Sequence, residues 1–257
     1  MVRGLYTAWT GMANEQKRLD VIANNLANSA TVGYKKEGVT SQSFDQHLAI
    51  KIKDKSEPYV ERQIGRMSLG VKVGEVYTDY NGGSLRETEN TFDLAIDGEG
   101  FFEVAVTDRL GNTRLRYTRA GGFHMTRDGF VVDADGNHLQ GESGDLQVPA
   151  DAGEIAIDAE GHVYADGELV DRVLLHDFED YNYLKKFADV YYEPVDGAKE
   201  KDALGLVRQG YTEQSNVNVV SEMVQMIAIT RAYEANQKVI QSVDQTLENS
   251  ANSIGRL

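Results

Sequence analysis

The 257-residue sequence contains no cysteine and no long apolar run. The absence of cysteine excludes disulfide bonds, cysteine-ligated zinc and a cysteine nucleophile. No stretch of about 18 apolar residues occurs, so the sequence predicts no membrane-spanning helix. A signal peptide needs an apolar run of at least about seven residues. The N-terminal segment has no such run before the charged residues Glu15 and Lys17. We therefore expect no cleavable signal peptide.

Positive charge is also scarce. The sequence has 26 lysine and arginine residues against 41 aspartate and glutamate residues, and its net charge is −15. This balance argues against a general nucleic-acid-binding protein, whose affinity comes largely from basic side chains on phosphates. Residues 73–210 carry a net −17, residues 1–72 carry +4 and residues 211–257 carry −2. We interpret the acidic middle as a solvated surface.

The N-terminal segment predicts a helix from about Arg3 to Asn28, and Gly33 follows as a stop signal. Its apolar residues recur every seven positions. That period keeps one narrow seam against a partner helix, as in a coiled coil. The predicted seam consists of Leu5, Met12, Leu19 and Leu26, flanked by Trp9 and Ile22.

The C-terminal segment repeats this pattern over a longer helix. Its seam consists of Val219, Met226, Tyr233, Ile240 and Leu247, followed by Ile254. Val220, Val224 and Ile227 make a second apolar face, which one partner helix would not cover. The pattern favours assembly with several neighbours, although an ordinary helical hairpin within one domain remains the alternative. Arg231 and Glu234 share a helix face, either as a surface ion pair or as a register-setting contact between subunits.

The middle of the chain predicts β structure. Short apolar runs alternate with tight turns at Asp128-Gly129, Asp135-Gly136, Glu160-Gly161 and Asp166-Gly167. The predicted fold is α+β, with long N- and C-terminal helices pairing as a coiled-coil-like unit around a central, hairpin-rich β domain. We assign residues 1–34 and 211–257 to a helical assembly domain, 35–85 to an extended arm or β-hairpin linker, and 86–210 to the β domain.

Motifs for chemistry are weak. Asp133-Ala-Asp135-Gly136-Asn137 with Glu142 resembles a calcium loop, but Val131 stands where an EF-hand needs aspartate, so a hairpin turn is the better interpretation. Gly98-Glu-Gly100 lacks the third glycine of a dinucleotide loop, and the histidines form no close ligand pair. We predict that the protein is not an enzyme and has no catalytic residues, no cofactor and no metal site.

Four blocks of the sequence resemble the axial proteins of the bacterial flagellum, the basal-body rod and hook family. These blocks are Thr10-Gly-Met12 with LDVIANNLANSATVGYKK (19–36), DLAIDGEGFF (93–102), YTRAGGFHMTRDGFVVDADGNHLQG (117–141), and SNVNVVSEMVQMIAITRAYEANQKVIQSVDQTL (215–247). They occur in the family's order and cover the chain nearly end to end. Asn24, Asn25 and Asn28 match the family motif, and we expect them to make hydrogen bonds at the helix end.

This resemblance implies a structural subunit of the flagellar basal-body rod. Such a subunit is exported unfolded by the flagellar type III apparatus and self-assembles helically into the hollow axle that transmits torque from motor to hook. Its partners would be copies of itself and neighbouring rod or hook subunits, outside the cytoplasmic membrane, with no nucleic acid and no membrane insertion. The arm, with Leu69-Gly-Val-Lys-Val-Gly74, favours a distal rod subunit, and a proximal one is the close alternative.

Two other classes remain open from the residues alone. One is a secreted peptidoglycan- or carbohydrate-acting enzyme, which would need paired carboxylates in a cleft within residues 86–205. The other is a surface adhesin assembled through its terminal helices.

Overall fold

The structure is a computed structural model that describes residues 2–44, 47–50, 63–68, 70–107 and 111–254. The chain divides into two compact, discontinuous units. The first, here called the helical unit, comprises Met1–Leu26, Glu37–Asp79 and Asn218–Leu257. The second, the β unit, comprises Ala27–Lys36 and Tyr80–Val217. The α+β architecture is confirmed, with a helix at each end of the chain and a β-rich centre.

Two long helices, α1 and α2, lie in the helical unit. Helix α1 is Val2–Ala27, within one residue of the predicted bounds at each end. Helix α2 is Val219–Asn249, about 46 Å long at 1.5 Å per residue, and a short π-helical turn, Ser250–Ile254, continues it. Asn218 caps α2, since its side chain accepts a hydrogen bond from the Ser221 N–H at 3.1 Å.

Four strands complete the described part of the helical unit. They are β1 (Glu37–Ser43), β2 (His47–Ile50), β3 (Gln63–Met67) and β4 (Val71–Thr78). Strand β1 pairs with β4 and β2 pairs with β3, all antiparallel. Helix α1 packs closely on this part of the chain, because a side chain at Gly70 would overlap Thr10. Residues 45–46, 51–62 and Leu69 of the predicted arm lie outside the described residues.

The β unit is built on a ten-stranded sheet with smaller sheets beside it. Its described strands are β5 (Leu85–Glu87), β6 (Leu94–Asp97), β7 (Phe101–Thr107), β8 (Thr113–Thr118), β9 (His124–Met125), β10 (Val131–Val132), β11 (His138–Gly141), β12 (Gly144–Asp145), β13 (Ile155–Ile157), β14 (His162–Ala165), β15 (Glu168–Arg172), β16 (Leu175–Phe178), β17 (Leu184–Phe187), β18 (Tyr191–Pro194), β19 (Glu200–Asp202), β20 (Leu206–Gln209) and β21 (Tyr211–Glu213). A 3-10 turn, Tyr181–Tyr183, precedes β17.

The large sheet runs in the order β17-β18-β8-β7-β11-β10-β9, with β16, β19 and β12 joined at its side. Strands β13, β14 and β15 form a separate antiparallel sheet, β20 pairs with β6, and β21 pairs with β5. In these last two pairs, the final strands of the β unit, β20 and β21, lie beside its first strands, β6 and β5.

Strand β7 organises the core of the β unit because both of its faces are buried. Phe102 and Val104 point into a large cluster with Leu139 and Val163. Phe101 points to the other side, into an aromatic cluster with Tyr192. This two-sided burial explains why the sequence of β7 reads as a nearly continuous apolar run rather than an alternating one.

The segment after α1 makes a close approach that only glycine permits. Gly33 has a φ of 70°, and a side chain there would overlap the backbone of Arg119 and Ala120. Its N–H donates to the Glu213 carbonyl at 2.8 Å. Residues 27–36 therefore belong to the β unit, although they directly continue α1.

Candidate assembly surface

Within the described ranges, no group of three or more histidine, aspartate or glutamate side chains is placed to hold a metal ion. The sequence candidate for calcium, the turn at Asp133, instead links β10 to β11. Asp133 Oδ1 accepts the N–H groups of Asp135 at 3.0 Å and Asn137 at 2.9 Å. Asp133 Oδ2 accepts from the Tyr191 hydroxyl at 2.6 Å, and Asp135 Oδ2 lies 2.7 Å from the same hydroxyl. Burial and these carboxylates raise the pKa of Tyr191 well above its ordinary value, so the phenol keeps its proton and holds the turn.

A polar cleft of about 460 Å³ lies beside β16, lined in part by His176, Glu200 and Lys201. His176 Nε2 lies 2.7 Å from the buried Glu103 Oε2 on the paired strand β7. The Glu103 carboxylate raises the pKa of His176, against the opposing effect of burial. This contact joins two neighbouring strands through an ion pair whose strength depends on the protonation of the histidine.

Asn25, on the last turn of α1, joins three segments of the helical unit. Its Nδ2 donates to the Glu37 carbonyl at 2.8 Å, and its Oδ1 accepts from the Glu37 N–H at 3.0 Å. The same Nδ2 lies 3.2 Å from Glu222 Oε2 on the first turn of α2. Asn25 and Glu222 are fully buried. The predicted hydrogen-bonding role of Asn25 therefore extends beyond the helix end to β1 and α2.

A second contact between α1 and α2 lies two heptads away. A Cβ at Gly11 would lie 2.9 Å from Asn236 Nδ2. Fourteen residues separate Gly11 from Asn25, and fourteen separate Asn236 from Glu222, in the opposite chain direction. Between these two points lies a largely apolar cleft of about 240 Å³, lined by Glu15, Gln16, Leu19, Asp20, Ile229, Thr230 and Tyr233.

The predicted seam residues differ in burial, and two of them border this cleft. Leu19 and Tyr233 line it directly. Of the α1 set, Ile22 is buried, Trp9 is exposed, and the half-buried members are Leu5, Met12, Leu19 and Leu26. Of the α2 set, Leu247 is exposed and the half-buried members are Val219, Met226, Tyr233 and Ile240. The side chain of Ile254 lies outside the described set.

Apolar side chains also stand exposed on the first half of α2. Val220 is 71% exposed, Val224 63% and Ile227 55%, and Met223 is about half exposed. Their spacing puts them on one helix face, here called the α2 outer face. On α1, Tyr6 and Trp9 are 60% and 57% exposed, and they form what we call the α1 outer face. A second apolar face on α2 was predicted, and the described residues leave it uncovered.

The remaining polar residues of the family motif lie at the surface or at the helix end. Asn24 is exposed, and Asn28 is half-buried and accepts a hydrogen bond from the Thr31 hydroxyl at 3.1 Å. Arg231 and Glu234 are both exposed on α2.

Sequence reasoning missed a buried ionic cluster in the β unit. Glu213 accepts from Lys35 Nζ at 2.6 Å and from Arg119 Nη1 at 3.2 Å, and all three side chains are almost completely buried. Lys35 also donates to the Asn81 carbonyl at 2.8 Å, and Arg119 donates to the Gly98 carbonyl at 2.7 Å. The cluster joins three stretches of chain that are far apart in the sequence. Lys35 lies within a block that resembles the family, but nothing in the sequence indicates its partners.

Three family models match the chain. They are "Flagella basal body rod protein" at residues 5–35, "Flagellar hook protein FlgE/F/G D1 domain" at 95–165, and "Flagellar basal body rod FlgEFG protein C-terminal" at 208–254. The first and third cover most of α1 and α2, and the second covers the centre of the β unit. No described helix has both the length and the hydropathy needed to cross a membrane.

Whole-length relatives agree with these matches. The chain is 31% identical to the flagellar basal-body rod protein FlgG of Bacillus subtilis (strain 168), over 98% of this chain and 99% of that protein. It is 32% identical to FlgG of Agrobacterium fabrum, over 95% and 96%. It is also 30% identical to the flagellar basal-body rod protein FlgF of Rhizobium meliloti (strain 1021), over 99% of both chains.

Proposed function

This chain belongs to the flagellar basal-body rod protein family, and from that membership we propose that it self-assembles helically into the hollow rod that transmits torque from motor to hook. It is a structural subunit of the flagellar basal body and not an enzyme. The proposal adds how the subunit assembles. Its helical unit makes the lateral contacts, and its acidic β unit faces solvent.

One observation carries the assembly mechanism: the α2 outer face is apolar, exposed and not covered by the described chain. Val220, Met223, Val224 and Ile227 present a continuous strip on one side of α2. A contiguous apolar strip on a soluble protein marks an interaction site. A rod needs many equivalent contacts of this kind, because every subunit must hold its neighbours under torque.

We also propose that α1 and α2 pair as an antiparallel, coiled-coil-like unit in the assembled rod. The support is the pair of contacts at Gly11–Asn236 and Asn25–Glu222, whose spacing is two heptads on both helices. The cleft between Leu19 and Tyr233 lies midway between these contacts. Closing it would bring the two seven-residue stripes together, with Leu5, Met12 and Leu26 on one helix and Val219, Met226 and Ile240 on the other.

Assembly outside the cytoplasm requires export, and we propose the flagellar type III apparatus as the route. Its partners in the rod would be copies of itself and neighbouring rod or hook subunits. The sequence of the arm supports a distal position in the rod over a proximal one. Decorating purified basal bodies with an antibody to an epitope tag on this chain would test the position, and a label confined to the end next to the motor would contradict it.

Hydrogen exchange tests the assembly mechanism itself. Helices without neighbours exchange quickly, because isolated helices are marginally stable in water. We expect residues 2–26 and 219–249 to exchange more slowly in polymer than in dilute monomer, where only the contacts within one chain protect them, with the β unit equally protected in both states. The β unit is the internal control. Equal protection of both helices in monomer and polymer would mean that they form a closed core, and it would contradict the proposal.

A further inference from the structure

The two outer faces lie on opposite sides of the α1–α2 pair. Gly11 and Asn25 mark the side of α1 that faces α2, and Trp9 is two residues from Gly11. Two residues turn an α-helix by about 200°, so Trp9 points away from α2. The same spacing separates Val224 from Glu222, which faces α1, so Val224 points away from α1.

The two faces also lie at opposite ends of the pair. Trp9 is level with the contact between Gly11 and Asn236, and Val224 is level with the contact between Asn25 and Glu222. Fourteen residues separate these two levels, which corresponds to about 21 Å along the helices at 1.5 Å per residue.

We propose that the α2 outer face of one copy packs on the α1 outer face of the next copy, displaced by about 21 Å along the helix axis. This inference rests on the proposed function and names the contact that builds the rod. Because the two faces differ and point in opposite directions, the contact is head-to-tail. Such a contact does not close into a dimer and instead propagates into a helical array.

The lack of charge on both faces favours a second copy as the occupant. Copies of a chain with net charge −15 repel each other except where their surfaces carry no charge. Residues 4–14 contain no charged side chain, and within residues 219–230 the only charged side chain is Glu222, which is buried. A membrane-surface helix would carry lysine and arginine on its polar face, and residues 219–230 contain neither.

The chemistry of the faces suits a strong contact. Tyrosine and tryptophan each bury about 150–250 Å² in an interface, and they dominate the energy of many interfaces. Four aliphatic or thioether side chains on α2 offer an apolar surface against which Tyr6 and Trp9 can pack.

Cysteine cross-linking tests the contact directly, because the chain has no cysteine of its own. Tyr6→Cys and Val224→Cys are made as separate single variants, mixed, polymerised and treated with a short bismaleimide. We expect a cross-linked dimer in the mixture and none with either variant alone. A chain carrying both substitutions should give a ladder of covalent oligomers.

Two controls fix the geometry. Lys238 lies on the outer side of α2, two heptads beyond Val224 and level with Trp9 of the same chain. A mixture of Lys238→Cys and Tyr6→Cys should therefore not cross-link if neighbouring copies are displaced as proposed. Gly11→Cys with Asn236→Cys in one chain should cross-link within that chain, since a Cβ at Gly11 would lie 2.9 Å from Asn236 Nδ2. The only tryptophan of the chain gives a second readout, and its fluorescence should shift to shorter wavelength on polymerisation of the unmodified protein.

The outcomes separate the two proposals. Polymer that forms and closes the Gly11–Asn236 pair, but gives no Tyr6–Val224 cross-link, overturns this contact and leaves the rod function standing. Cross-links with either single variant alone mean a two-fold contact and also overturn it. In flagellated cells, cross-links that join this chain only to a different protein would also overturn the proposed contact. Failure of the unmodified protein to polymerise at all would contradict the proposed function instead.

Discussion

Asn25 holds the backbone of Glu37 with both ends of its amide group, donating to the carbonyl at 2.8 Å and accepting from the N–H at 3.0 Å. This arrangement imitates the pairing of two strands and anchors β1 to the end of α1. The third contact of Asn25, with Glu222, ties in α2 across 197 positions of sequence. One side chain therefore sets the positions of three segments.

Replacing Asn25 should destabilise the helical unit. Asn25→Ala leaves the Glu37 backbone groups without the Asn25 amide in a buried place, and we expect a loss on the order of 2–4 kcal/mol in the free energy of unfolding. Asn25→Asp should cost at least as much, because it places a second carboxylate beside Glu222. Urea unfolding followed by circular dichroism in the helix band measures both. The exposed Lys17→Ala is the control, with an expected change within about 0.5 kcal/mol. Equal effects at the two sites would refute the role of Asn25.

Glu213 should be indispensable to the β unit. Glu213→Gln removes the carboxylate between the buried Lys35 and Arg119, and breaking a buried ion pair in this way costs about 3–5 kcal/mol. Hydrogen exchange of β5, β6 and β21 would report the loss. The matched control is Glu193→Gln, which breaks a largely exposed pair with Arg114 at 3.4 Å and should cost less than about 1 kcal/mol. A small effect at Glu213 would mean that the cluster contributes little to stability.

The proposed seam can be tested at Leu19. Leu19→Asp places a charge in the cleft beside Ile229 and Tyr233, where it has no cationic partner among the lining residues. We expect monomers with a folded β unit that neither polymerise in sedimentation assays nor support swimming. Lys17→Asp adds more negative charge to the same helix at an exposed position and should assemble. Normal motility in cells that carry only Leu19→Asp would rule out this seam.

The pair of His176 and Glu103 predicts a dependence of stability on pH. Glu103 raises the folded-state pKa of His176, so its contribution is complete below the unfolded-state pKa of about 6.5. It is lost as the pH rises through the higher folded-state pKa. We expect the free energy of unfolding of the β unit to fall across this window, and His176→Gln to remove that fall. His124→Gln, at an exposed histidine, should keep the wild-type profile. An unchanged profile in His176→Gln would show that other groups cause the dependence.

Features that depend on neighbours in sequence could be predicted well. The heptad stripes located both helices, because a helical period is visible within one segment. The glycines of all four predicted turns, Gly129, Gly136, Gly161 and Gly167, have positive φ angles. An acidic residue followed by glycine is a local signal for that conformation.

Features that join distant positions could not be predicted in this way. The Lys35–Glu213 pair spans 178 residues. The sequence alone does not distinguish a buried lysine from an exposed one. Strand β16 pairs with β7, more than 70 residues earlier, because both strands can cover the same aromatic cluster. Such pairings depend on which surfaces fit together in three dimensions.

The late position of Glu213 bears on the genetics of this protein. A chain that ends before Glu213 still contains Lys35 and Arg119, yet it lacks the carboxylate that holds them together. It also lacks α2 and with it every partner that Asn25 finds there. A premature stop codon ahead of codon 213 should therefore leave neither unit complete, and the product should be degraded. Such alleles would be recessive, because no shortened subunit survives to enter and block a growing rod.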